Sequence, residues 1–189
     1  IYKKILSIIL LTLFLFTLSI SFNTKSIASG ADYYSGISNS LTGSSLKSAL
    51  RNLITSTHTK TTSYSSLKTY LQEADEDPNN SGKMLLFYTG ESVSKTSDMN
   101  IWNREHVWPQ SLGWFGTSGA GADMHHIRPC DPSVNGSRGN KKFGTSSSYY
   151  DPNSQGANYR GDVARIIFYM FTRYSQSDSY PITNVATSM

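Results

Sequence analysis

Asn103-Arg104-Glu105-His106-Val107-Trp108-Pro109 is the stretch on which the reading of this chain turns. Two later segments belong with it: Asp123-Met124-His125-His126-Ile127-Arg128-Pro129 and Asn135-Gly136-Ser137-Arg138-Gly139-Asn140. Residues 103–140 thus gather three of the four histidines, an acid beside a histidine, amide side chains and several arginines. Tandem Glu105-His106 poses a geometric problem, because adjacent side chains on a strand point to opposite faces. The pair can serve one site only where a strand ends. Pro109 keeps Trp108 out of the helical region and so predicts such a break.

Outward from this stretch, residues 102–106 are predicted extended. A loop follows through Gly113, Gly116, Gly119 and Gly121, and Met124 to Arg128 is predicted as a second short strand. Asp131-Pro132 predicts a helix start, with Asp as N-cap and Pro in the first turn. Upstream, Leu46, Ala49, Leu50, Leu53 and Ile54 repeat at the spacing of a buried helix face, and Leu67, Tyr70, Leu71 and Ala74 do so more weakly. Asp77-Pro78-Asn79-Asn80-Ser81-Gly82 is a stop and turn before the apolar, strand-length run Met84 to Tyr88. Downstream, Gly144 to Asn158 reads as a surface loop. A last helix, capped by Asp162, follows with Val163, Ile166, Ile167, Met170, Phe171 and Tyr174 on its apolar face. Arg165, Tyr169 and Arg173 form a second stripe on that helix, read as solvated. The pattern is that of an α+β chain.

The first residues read differently. Lys3-Lys4 precede a nearly unbroken apolar run from Ile5 to Ile20, and Ser26-Ile27-Ala28 supplies a small-x-small cleavage pattern. The run is shorter than the ~20 residues that span a bilayer, so residues 1–28 are expected to be a secretory signal peptide. An uncleaved anchor is the competing reading. Residues 29–189 are expected to be one domain, secreted as a monomer with no stable membrane association. Cys130 is the sole cysteine, so an internal disulfide and a paired-cysteine zinc site are both excluded. The formal charge of +4 includes Lys3, Lys4 and Lys25; without them 14 basic residues face 13 acidic ones. Seven basic residues against three acidic ones between Arg128 and Arg173 hint at a polyanionic partner.

Phosphodiester hydrolysis needs a base for water, a cation for the charge of the phosphorane, and stabilisation of the leaving oxygen. A histidine can act as the base, and one Mg²⁺ can do the rest. Mg²⁺ prefers hard oxygen ligands and keeps several waters, so two protein oxygens suffice. Glu105 and Asn135 fit that demand, with His106 as base. His58 in the Ser/Thr linker reads as exposed, and His125 as a better supporting residue than His126. Trp102, Trp108 and Trp114 read as core, with Trp114-Phe115 the pair placed to stack on bases.

Taken together, the three segments resemble the endonuclease I family of secreted nucleases with a ββα-metal, or His-Me finger, core. Asp75-Glu76-Asp77-Pro78-Asn79 and Tyr88-Thr89-Gly90 extend the resemblance over most of the chain. It implies His106 as general base, Glu105 and Asn135 as ligands of one Mg²⁺ (Mn²⁺ or Ca²⁺ substituting in binding), and helices around the core. It also implies cleavage of DNA, often RNA too, with little sequence preference and 5′-phosphate products. Three departures stand out. The loop Gln110 to Ala122 lacks the arginine and cysteines that some relatives place there, which leaves Arg128 and Arg138 as candidate phosphate contacts, with a salt bridge the equal alternative for Arg138. The chain starts with Ile and ends at Met189, where relatives usually continue, so the domain is expected to be incomplete at its C-terminus. His126 stands where some relatives carry Asn. A nucleic-acid-binding module without turnover is the competing class; a metallopeptidase is disfavoured by the lack of a His-Glu-x-x-His helix.

Overall fold

A computed structural model describes residues 33–174. The expected signal peptide, its cleavage pattern and the C-terminal end lie outside the described residues. The chain divides into a unit ending at Asn39 and a second beginning at Ser40. Of the first, residues 33–39 form turns, with the Tyr33 and Tyr34 rings edge to face at 4.8 Å. All that follows concerns the second unit.

Its helices fall where periodicity placed them. Helix α1 spans Gly43–Thr57 and packs on the last helix, α5, Arg160–Tyr174. No α1 residue is fully buried, so its apolar stripe covers α5 rather than entering a core. Helix α2, Leu67–Ala74, buries Leu67 and Leu71 and leaves Tyr70 exposed. The expected stop at Asp77-Pro78-Asn79 is a tight hairpin joining β1 (Glu76–Asp77) to β2 (Asn80–Leu85), and β3 (Ser92–Ser94) completes an antiparallel sheet. The apolar run Met84 to Tyr88 is not one strand. It leaves β2 after Leu85, and the Phe87 amide then donates to the Pro129 carbonyl at 2.7 Å, tying this run to the second sheet.

That second sheet is the antiparallel pair β4 (Asn103–His106) and β5 (Ile127–Cys130), with Glu105 opposite Arg128 and His106 opposite Ile127. Strand β4 ends at His106, as Pro109 predicts. The glycine loop after it is not featureless: one helical turn, α3 (Gln110–Gly113), and a 3₁₀ turn, Gly119–Ala122, lie within it. The second strand begins three residues later than expected. His125 and His126 lie on a turn, because the Asp123 carboxylate accepts the His125 amide at 2.9 Å and its carbonyl accepts the His126 amide at 3.2 Å. Directly after β5, Asp131 caps α4 (Pro132–Arg138), accepting from the amides of Ser133 and Val134 at 2.8 and 2.9 Å. Gly139, at φ 55°, ends it, a conformation that favours glycine.

The β4–β5 ribbon lies between two apolar clusters. Ile127 joins one with Leu67, Leu71, Met84, Leu86 and Trp102. Cys130 joins the other with Phe87, Tyr88, Trp108 and the buried face of α5. Two expectations for α5 need correction. Asp162 sits in the first turn instead of capping it, and the Arg165–Tyr169–Arg173 stripe is solvated only at Arg165. Tyr169 and Arg173 turn inward to Asp123.

Candidate active site

The end of β4 is held by a buried arginine. Arg138 closes the last turn of α4 with 1% of its surface exposed, and its guanidinium donates to the carbonyls of His106 (2.9 Å) and Val107, where the strand has run out of partners. The same group pairs with Glu105 Oε1 at 2.9 Å and lies over the Phe143 ring. One side chain therefore fixes Glu105, His106 and Val107 in register. Sequence made Arg138 a candidate phosphate contact. The structure buries it, with both terminal nitrogens committed to protein groups, in line with the salt-bridge reading.

Glu105, 2% exposed, also accepts the Tyr88 hydroxyl on Oε1 at 2.8 Å. Burial raises its pKa, opposed by the Arg138 charge and the Tyr88 hydrogen bond. The anion is thus only partly compensated. Both contacts use Oε1, which leaves the second carboxylate oxygen as the candidate cation ligand. Tyr88 reaches this position from a left-handed backbone, φ 73°, a conformation that costs a non-glycine residue about 1–3 kcal/mol and that packing must hold. No local signal marked Tyr88 as more than the end of an apolar run.

Asn135 lies on the inner side of α4. Its amide nitrogen donates to Asn103 Oδ1 at 2.6 Å and lies 3.4 Å from the Arg104 carbonyl, next along the chain from Glu105. With the nitrogen so turned, its oxygen is the remaining donor. Glu105 and Asn135 are both tied to β4, and their remaining side-chain oxygens are hard donors of the kind Mg²⁺ prefers.

His106 points to the opposite face of β4. Its Nε2 lies 3.1 Å from the Gly121 carbonyl, and the ring stacks on Tyr64 at 5.6 Å, with Phe115 and His126 also against it. A carbonyl only accepts, so Nε2 carries the proton and Nδ1 keeps its lone pair. Burial lowers its pKa, partly offset by the Gly121 carbonyl and reinforced by the charges of Arg104 and Arg138. Gly121 cannot be replaced without displacing this contact: a Cβ there would lie 1.8 Å from the Gly116 oxygen. Tyr64, from the loop before α2, is held in turn by Arg104, whose guanidinium stacks on its ring and donates to its carbonyl at 2.6 Å.

The remaining residues divide. Arg128 pairs with Asp75 at 3.2 Å and lines an open cavity of about 370 Å³ with Tyr159, Asp162 and Arg165. His126 is fully buried and donates to the Ala120 carbonyl at 2.7 Å. His58, expected to be exposed, is half-buried. It clusters with Asp123 and His125, the sole group of three His, Cys, Asp or Glu among the described residues that could grip an ion. Phe115 is core, whereas Trp114 is 79% exposed.

The family model for endonuclease I matches residues 42–159, more than half of the sequence, and the chain belongs to this family. It is 47% identical over 163 residues to an extracellular ribonuclease of Bacillus subtilis (strain 168), a match covering 79% of this chain and 56% of that protein. An extracellular ribonuclease of Bacillus amyloliquefaciens is 46% identical over 154 residues, covering 74% of this chain and 52% of the relative. The chain therefore spans about half the length of the curated relatives it matches. No solved structure matches it significantly. Endonuclease I is the class that this membership defines, and the mixed α and β fold is consistent with it.

Proposed function

We propose that this chain is a secreted, Mg²⁺-dependent endonuclease that hydrolyses RNA and DNA with little sequence preference and leaves 5′-phosphates. The observation that carries the reading is the Nε2 contact of His106 with Gly121, which leaves Nδ1 basic at the strand end that also carries Glu105. The β4–β5–α4 unit serves as a ββα-metal core. Glu105 and Asn135 hold the divalent ion, which when bound supplies charge for the phosphorane and the leaving 3′-oxygen. His106 Nδ1 takes the proton of the attacking water, and its lowered pKa keeps it neutral for that task. Arg138 positions Glu105 and the end of the strand. Because water is the nucleophile, the sugar 2′-hydroxyl is not required, so both nucleic acids are substrates. Export by residues 1–28 accords with relatives named as extracellular, and no described helix is long and apolar enough to cross a membrane.

The test incubates the purified protein with supercoiled plasmid and with RNA, in Mg²⁺ or EDTA. Nicking and RNA cleavage in Mg²⁺, abolished by EDTA and reduced about 10²–10⁴-fold in His106→Ala, are expected. RNA products ending in 2′,3′-cyclic phosphate would overturn water attack. A mobility shift without cleavage would identify a binding module instead.

A further inference from the structure

We propose that His58, Asp123 and His125 form a second metal site, for a late first-row divalent ion of the Zn²⁺ type, separate from Glu105 and Asn135. One ligand atom from each of the three lies within 4.8 Å of the others. His125 Nδ1 is already 2.8 Å from Asp123 Oδ1, and the two imidazole rings are 5.8 Å apart. With Zn–N and Zn–O bonds near 2.0–2.2 Å, the widest pair must close by roughly 1 Å. The His125 side chain, 60% exposed, is free to make that adjustment.

Three features suit this cluster to an ion. His58 Nδ1 is buried with no hydrogen-bond partner, a position that buried polar atoms seldom occupy. The Asp123 carboxylate is fixed from behind: Oδ2 accepts the hydroxyls of Tyr169 and Tyr174, each at 2.7 Å, and Oδ1 accepts the His125 amide. Tyr169 also stacks on the His125 ring at 4.5 Å, setting its plane. Oriented, hydrogen-bonded ligands of this kind are what metal sites use to hold geometry.

The donor set selects the ion. Two imidazoles and one carboxylate favour Zn²⁺, Co²⁺ or Ni²⁺, whereas Mg²⁺ prefers oxygens. Arg173 opposes the cation from the far side, its Nε 3.6 Å from Oδ2, but it also donates to the Ile54 carbonyl at 3.3 Å. Three protein ligands leave a fourth position for water, at a site bordered by solvent. Binding would join the C-terminal end of α1 to the turn before β5. That turn adjoins the Ala120 and Gly121 carbonyls that hold His126 and His106.

Thermal unfolding tests the proposal without reading activity. Zn²⁺ at about 100-fold over its Kd should raise Tm by on the order of 5–10 °C, with one equivalent bound by calorimetry and no matching rise in Mg²⁺. The rise should vanish in His125→Ala and in His58→Ala and persist in Glu105→Gln, which separates this site from the proposed catalytic ion. The absence of any Zn²⁺ effect on the unmodified protein would overturn the proposal. So would an undiminished rise in both histidine variants. Should His58→Ala unfold without metal, His125→Ala decides alone, because its side chain is 60% exposed.

Discussion

Arg138 and Glu105 meet at 2.9 Å with 1% and 2% of their side chains exposed, and the same arginine caps the carbonyls at the end of β4. Truncating it leaves a buried carboxylate without its countercharge, with only the Tyr88 hydroxyl as donor, and removes the arginine's donors from two buried carbonyls. Breaking a buried pair from one side costs about 3–5 kcal/mol, so Arg138→Ala should lower unfolding stability by that order in urea titrations. A change near zero would show that Glu105 does not depend on Arg138.

The lowered pKa of His106 makes a kinetic prediction. A base must be neutral, and burial disfavours its protonated form, so activity should persist below the ordinary imidazole value of 6.5. The acid limb of kcat/KM, measured at saturating Mg²⁺ so that protonation of Glu105 does not dominate, should lie below pH 6.5. A limb above that value would count against His106 Nδ1 as the base.

His126 governs stability rather than rate. Its pKa is lowered from 6.5 to about 3, chiefly by burial. Unfolding frees the ring to take a proton, so between pH 6.5 and 3 the unfolded state binds more protons and stability falls as pH falls. In His126→Asn this contribution disappears. Urea midpoints at pH 7 and pH 5 should therefore differ less in the variant than in the parent; equal differences would refute the assignment.

Trp114 combines 79% exposure with a left-handed backbone at φ 54°, next to Phe115, which packs on His106. Base–aromatic stacking contributes about 1–3 kcal/mol per base, so Trp114→Gly should raise KM for single-stranded substrate roughly 5- to 150-fold with kcat little changed. Its Tm should hold or rise, since glycine tolerates that conformation. A fall in kcat at constant KM would assign Trp114 another role.

What the sequence made legible was local. Asp131-Pro132 announces a helix because capping and the fixed φ of proline act within one turn, and α4 starts there. Pro109 likewise foretold the end of β4. Arg138 stayed open between a phosphate contact and a salt bridge, because nothing in Gly-Ser-Arg-Gly distinguishes a surface arginine from one that finds carbonyls more than thirty residues away. The His125-His126 pair was assigned strand alternation, whereas a single carboxylate, Asp123, makes the turn. That same carboxylate draws in Tyr169, Arg173 and, across the linker, His58. Long-range polar partners carry no periodicity, so this half of the molecule was invisible to pattern.

Gly121 gives the loop an unusual vulnerability. The atom that fixes the proton on His106 belongs to the main chain, at a position where a side chain would strike the Gly116 oxygen. Nothing chemically reactive is present at residue 121, and a scan for catalytic functional groups would pass over it. Yet adding one methyl group there would push the carbonyl away and free the imidazole to change tautomer. The tautomer of His106 thus depends on a side chain that residue 121 must lack.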